Sequence, residues 1–142
     1  MGYDFGKMEI RKHSEAGIDF QVEHPIDGPI FDESGNPVTM NLSGADSSRI
    51  KAAVRERQKA HLEKSGGKPF ELTEEEREAE NIQDLVTLTN GWSNNWTLDG
   101  EPFPFSKENA VKLYVRFPDV AMWATAKVTQ RLNFMRGWSP KS

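Results

Sequence analysis

The order of hydrophobic patterns predicts an α+β protein in which a small N-terminal antiparallel sheet is followed by a three- to four-helix region. Two observations carry this expectation. Apolar residues alternate with polar ones across 18–23 and again across 38–43, whereas from Ser47 onward they recur at helical spacing. The 142 residues suit one domain, expected to be strand-rich over 1–45, helical over 46–137 and frayed over 138–142.

The first 14 residues show no dominant period, and a short strand over 7–11 is the expectation there. Ile18, Phe20 and Val22 then face one side and Asp19, Gln21 and Glu23 the other, the signature of a half-buried strand. Pro25 ends it. Asp32-Glu33-Ser34-Gly35-Asn36 reads as a turn. Val38, Met40 and Leu42 return as a second strand, pairing with the first across a long connection.

Asp46 or Ser47 can cap a helix running to about Lys64, whose thin apolar stripe is Ile50, Ala53, Val54, Ala60 and Leu62, with the stem of Arg57. Gly66-Gly67 and Pro69 stop it. Thr73 and Glu76 form a capping box for the next helix, and Glu74, Glu75 and Glu76 suit its dipole. Ile82, Leu85, Val86 and Leu88 make its second half core, and Asn90-Gly91 breaks it. Ser106 caps a short helix carrying Ala110, Leu113, Tyr114 and Phe117. Pro118 opens the last helix, with Val120, Ala124, Val128 and Leu132 on one face and Trp123 and Phe134 beside it.

Charge and composition narrow the function. A net charge of −4 argues against a broad nucleic-acid surface. The cations of 49–64 surround their helix and are interrupted by Glu56 and Glu63, so they read as a solvated face that also touches the acidic helix after it. The chain has no cysteine, which removes thiol chemistry and suits a reducing compartment. With no apolar run near about 18 residues and no basic-then-apolar start, a soluble intracellular protein that does not engage a membrane is expected.

His13, His24 and His61 fall in separate segments without a metal-ligand spacing, and no phosphate loop, dinucleotide fingerprint or nucleophile elbow occurs. Asp99-Gly100 is a turn signal and does not require Asp99 and Glu101 to be paired catalytic acids. No enzyme activity, metal or cofactor is expected. The aromatic stretch 91–109 remains, where Trp92, Trp96, Phe103 and Phe105 crowd one connection between helices. Such residues either pack or anchor a partner. The expected division is Trp92 buried, with Phe103 and Phe105 available for contact.

Several segments together carry a family resemblance. They are Leu42-Ser43-Gly44-Ala45-Asp46-Ser47, the run from Leu85 into Asn90-Gly91-Trp92, then Leu98-Asp99-Gly100-Glu101-Pro102-Phe103-Pro104-Phe105-Ser106-Lys107-Glu108-Asn109-Ala110, and a final helix after a proline. A helix entering Gly-Trp, an Asp-Gly turn, Pro-Phe-Ser and Glu-Asn before another helix resembles the small tail assembly chaperones of long-tailed bacteriophages. Asn94-Asn95-Trp96 lengthens the loop relative to the commoner Gly-Trp-Asp forms.

The resemblance implies a non-enzymatic protein that binds the tape measure protein, keeps it soluble and helps tail tube subunits assemble. Such a protein works in the host cytoplasm, is absent from the mature virion and can self-associate through apolar helix faces. Candidate partner-binding residues are Trp92, Trp96, Phe103, Phe105, Tyr114 and Trp123. The alternative is a structural tail completion or head-tail connector protein that uses the same loop permanently.

Overall fold

The computed structural model describes residues 2, 10–68, 71–130 and 133–134. The chain is α+β, as the patterns predict. Its elements run α1 (Ile10–Ala16), β1 (Ile18–Gln21), β2 (Glu23–His24), β3 (Gly28–Pro29), β4 (Thr39–Leu42), α2 (Ser48–Lys64), α3 (Glu74–Leu88), β5 (Thr89–Trp92), β6 (Thr97–Leu98), β7 (Glu101–Pro102), α4 (Lys107–Arg116) and α5 (Pro118–Thr129).

Alternation sets the sheet. β1 and β4 pair antiparallel with Phe20 opposite Met40 and Ile18 opposite Leu42, so the apolar set of both strands shares one face. Met40 and Leu42 are fully buried. On the opposite face, Asn41 Nδ2 donates to Asp19 and Asn90 Nδ2 donates to Asn41 Oδ1, each at 2.8 Å, a polar ladder across the strands.

Three expectations need correction. Residues 10–16 form a helix where part of a strand was expected, while 7–9 lie outside the described residues. Gly17 ends that helix in the left-handed region (φ +88°), with its N–H donated to His13 O at 2.8 Å. The region 46–137 is not wholly helical, because α3 runs without a loop into β5, the third strand of the sheet, in the order β1-β4-β5. The carbonyls at the end of α3 are taken up at once: Thr89 Oγ1 donates to Leu85 O at 2.6 Å and Ser43 N–H to Leu88 O at 2.8 Å.

The third correction concerns α2, whose stripe is thinner than expected. Ile50 is buried and Ala53 and Val54 half-buried, but Ala60 and Leu62 are exposed. Ser47 occupies the N-cap position without a side-chain cap bond. A carboxylate from α1 takes that place, since Glu15 accepts from the Ser48 N–H and hydroxyl.

The other helix ends follow the sequence. Thr73 and Glu76 form the full capping box, Ser106 Oγ accepts from Asn109 N–H at 3.0 Å, and Pro118 opens α5. Attraction between the charged helices is also realised. Arg57 forks onto Asp84 at 2.7 and 3.1 Å and its Nε lies 3.2 Å from Glu80, while His61 Nε2 lies 2.9 Å from the same Glu80.

α3, α4 and α5 pack against one another, and the sheet's apolar face shares their core. Phe20, Leu85, Leu113, Ala124, Val128 and Phe134 belong to it, with the Phe134 ring edge-on to Phe20 at 5.9 Å. Leu132 and the tail 138–142 lie outside the described residues.

Candidate functional site: an aromatic hairpin beside an open groove

The stretch between α3 and α4 is not a plain connector. β5 joins the sheet, and β6 and β7 form a two-residue hairpin whose turn residues both have positive φ, Asp99 at +52° and Gly100 at +85°. That is the backbone an Asp-Gly hairpin requires. Arg116 braces the turn, donating to both Asp99 oxygens at 2.7 and 3.0 Å and holding that carboxyl below its ordinary range. Asp99 is therefore engaged in structure.

The aromatic residues stack in series. Trp92 lies between Trp96 (4.5 Å, 21° between planes) and Phe103 (5.4 Å, 20°), with Phe105 edge-on at 5.1 Å. Both indoles are tied to backbone: Trp92 Nε1 donates to Phe103 O at 2.8 Å and Trp96 Nε1 to Thr39 O at 3.0 Å. Phe103 N–H donates to Trp96 O, extending the hairpin ladder.

Burial changes the expected division of roles at Phe103. Phe103 is 7% exposed and belongs to the core, while Trp92, Trp96 and Phe105 are half-buried. Phe103 follows β7 and turns inward to pack under Trp92, a geometry the Pro-Phe-Pro-Phe pattern does not announce. Tyr114 is 1% exposed. Its hydroxyl lies 2.7 Å from Thr89 Oγ1 and 3.3 Å from Met40 Sδ, joining α4 to the sheet, so Tyr114 is a core residue and not a contact surface. Burial pushes its phenol up to about 12. Trp123 sits apart from the stack, half-buried on α5, with a buried indole N–H that has no hydrogen-bond partner among the described residues.

Beside the stack lies an open groove of about 800 Å³. Val22, Phe103 and Leu113 line it at depth, residues 30–34 with Val38 line one side, and Trp96, Thr97, Leu98 and Gly100 of the aromatic hairpin another. Phe117 and Val120, at the joint of α4 and α5, complete the lining. Phe31 is 56% exposed along this groove.

Asn95 fastens the two sides together, donating to Asp32 Oδ2 at 3.0 Å and to Pro37 O at 3.2 Å. Asp32 also accepts the Ser34 and Asn36 N–H groups at 2.9 Å each, closing the turn between Phe31 and Pro37. The Asn95 amide and these backbone donors lower its carboxyl pKa. The charged lining residues, Asp32 and Glu33, are both acidic.

Sequence reasoning found Trp96 and Phe103 but missed Phe31, Leu98, Phe117, Val120 and the Asn95 clasp. Nothing local in the sequence places residue 32 beside residue 95. The three histidines stay apart in the sequence, and among the described residues no three His, Asp or Glu side chains converge as a metal site requires. Among the described residues no helix is long and apolar enough to cross a membrane. No protein-family model matches the chain, and searches of curated proteins and of solved structures found no match.

Proposed function

We propose that this chain is a non-enzymatic, partner-binding protein that acts as a tail assembly chaperone of a long-tailed phage, holding an apolar segment of the tape measure protein and assisting tail tube assembly. The observation that supports this most is the groove itself: a large open hollow lined by Val22, Ile30, Leu98, Phe117 and Val120, with Phe31 exposed along it. Contiguous apolar lining on a polar chain suits an extended or helical segment of another protein. Asp32 and Glu33 favour a segment carrying Lys or Arg beside its apolar residues, because opposite charge raises the encounter rate and sets orientation.

In this reading Trp92 and Trp96 stiffen the aromatic side of the groove, and Phe31 and Leu98 meet the partner. The work is done in the host cytoplasm and the protein leaves before the virion is complete.

Co-expression with tape measure fragments tests the proposal. Phe31→Asp and Leu98→Asp should abolish co-purification, while Val115→Asp, on an exposed α4 position outside the groove lining, should not. Equal capture by all three variants would sink the groove reading. Stoichiometric copies of the chain in purified particles would instead favour a structural tail completion or head-tail connector protein.

A further inference from the structure

We infer a second docking surface, on the outer face of α5, that receives a basic amphipathic helix of a partner protein. Single exposed hydrophobic residues are ordinary. Here, however, the two most exposed large apolar side chains among the described residues, Ile26 (87%) and Met122 (70%), line the same hollow with Pro25 and Trp123. That hollow measures about 490 Å³. On the other side of Met122 a second hollow of about 460 Å³ runs between α3 and α5, lined by Ile82, Leu85, Pro118, Ala121 and Ala126. Small residues at 121 and 126 let a helix backbone come close, and two hollows flanking one methionine suit apolar side chains spaced a helical turn apart.

Charge selects the occupant. The acidic side chains lining the two hollows are Glu23, Glu78 and Asp119, which form no ion pair among the described residues, and among the described residues neither lining contains Lys or Arg. His24 is the one basic side chain among the described residues there, and its Nδ1 accepts the Ile26 and Asp27 N–H groups and lies 3.6 Å from Asp27. An acidic rim around an apolar floor fits a helix with lysines flanking its apolar stripe. A second copy fits less well, since the cationic outer face of its α2, with Lys51, Arg55 and Lys59, carries one large exposed apolar side chain, Leu62.

The surface is separate from the groove proposed above. It can be tested with that groove disabled, in the full-length Phe31→Asp variant. The probe is a synthetic amphipathic helix with leucines at i, i+3, i+4 and i+7 and lysines elsewhere, titrated into isotope-labelled protein, and a matched peptide with glutamates in place of lysines is the comparison. The lysine peptide should shift the amide signals of Ile26 and Met122 and the indole signal of Trp123, and bind at least about tenfold more tightly than the glutamate peptide.

Adding Met122→Lys should weaken binding about tenfold while leaving the melting temperature unchanged, because the side chain is exposed. Equal binding of both peptides, retention of affinity in Met122→Lys, or shifts confined to other residues would overturn the inference. So would concentration-dependent self-association of the free protein that Met122→Lys abolishes, since the face would then belong to a second copy.

Discussion

Replacing Thr89 by valine should cost more stability than removing the Tyr114 hydroxyl, although each change deletes one oxygen from the same buried chain. The Thr89 hydroxyl has a single proton and donates it to Leu85 O at 2.6 Å, so the Tyr114 proton points to Thr89 Oγ1 at 2.7 Å, with Met40 Sδ at 3.3 Å as a weaker acceptor. Tyr114→Phe removes one donor and leaves the Thr89 proton bonded, a loss of about 1 kcal/mol. Thr89→Val keeps the shape but removes the Leu85 carbonyl's side-chain donor and strands the phenol beside a thioether, a loss of about 2 kcal/mol. With a urea slope of about 2 kcal/mol/M, the unfolding midpoints should fall by about 0.5 M and about 1 M respectively.

The double variant tests the coupling. Once the tyrosine hydroxyl is gone, valine at 89 no longer strands a phenol and only the Leu85 carbonyl loses its donor, so the double loss should be smaller than the sum by about 1 kcal/mol. Urea unfolding followed by tryptophan fluorescence measures all three. Additivity within about 0.3 kcal/mol, or a larger loss for Tyr114→Phe than for Thr89→Val, would refute the hydrogen-bond reasoning. An alkaline titration adds an independent readout. The phenol is raised from its ordinary value near 10 to about 12, mainly by burial, so the folded state holds its proton more tightly than the unfolded chain. Its contribution is complete below pH about 10 and is lost as pH rises towards about 12, a decline of order 2 to 3 kcal/mol that Tyr114→Phe should abolish.

Three further outcomes follow from the packing. Gly17→Ala should destabilise by about 2 kcal/mol or more in thermal or urea unfolding, because φ is +88° and an added Cβ would lie 2.2 Å from Asn41 Oδ1 and 2.4 Å from Asn90 Nδ2. A variant as stable as the parent would contradict that geometry. Arg57→Met should cost about 1 kcal/mol at low salt and less at high salt, since its fork onto Asp84 is only half-buried, whereas Arg116→Ala, at an exposed pair, should leave the unfolding midpoint unchanged. Phe103→Ala should lower stability by about 3 kcal/mol or more, as expected for a core aromatic, and a variant that loses partner binding alone would restore Phe103 to the contact surface.

Local chemistry made much of the fold legible. Period-two alternation at Ile18, Phe20 and Val22 and at Met40 and Leu42 specifies which strand face is buried, since a one-residue slip would expose the whole set. The Thr73-Glu76 box, the Ser106 cap and Pro118 mark helix starts because the donors they satisfy or omit lie within one turn. Asp99-Gly100 specifies its turn through backbone sterics alone. Gly17 also carried a signal for the end of α1, but the alternation beginning at Ile18 dominated the reading of that region.

What the chain could not announce depends on partners distant in sequence. Residues 89–92 become a strand because the free edge of β4 is there to pair with them, and Asn90-Gly91 by itself reads equally well as a helix stop. Whether an aromatic residue is wall, floor or surface is decided by what lies over it: Phe103 packs beneath Trp92, Tyr114 meets Thr89 and Met40, and Ile26 and Met122 stay uncovered among the described residues. The groove exists because Asn95 clasps Asp32, a contact between residues 63 positions apart. The sequence by itself determined the fold class, the strand faces and most helix ends, because caps, turns and alternation act over a few residues. Only the tertiary structure decided the third strand, the core status of Phe103 and Tyr114, and the two hollow surfaces, because these arise where separate elements meet.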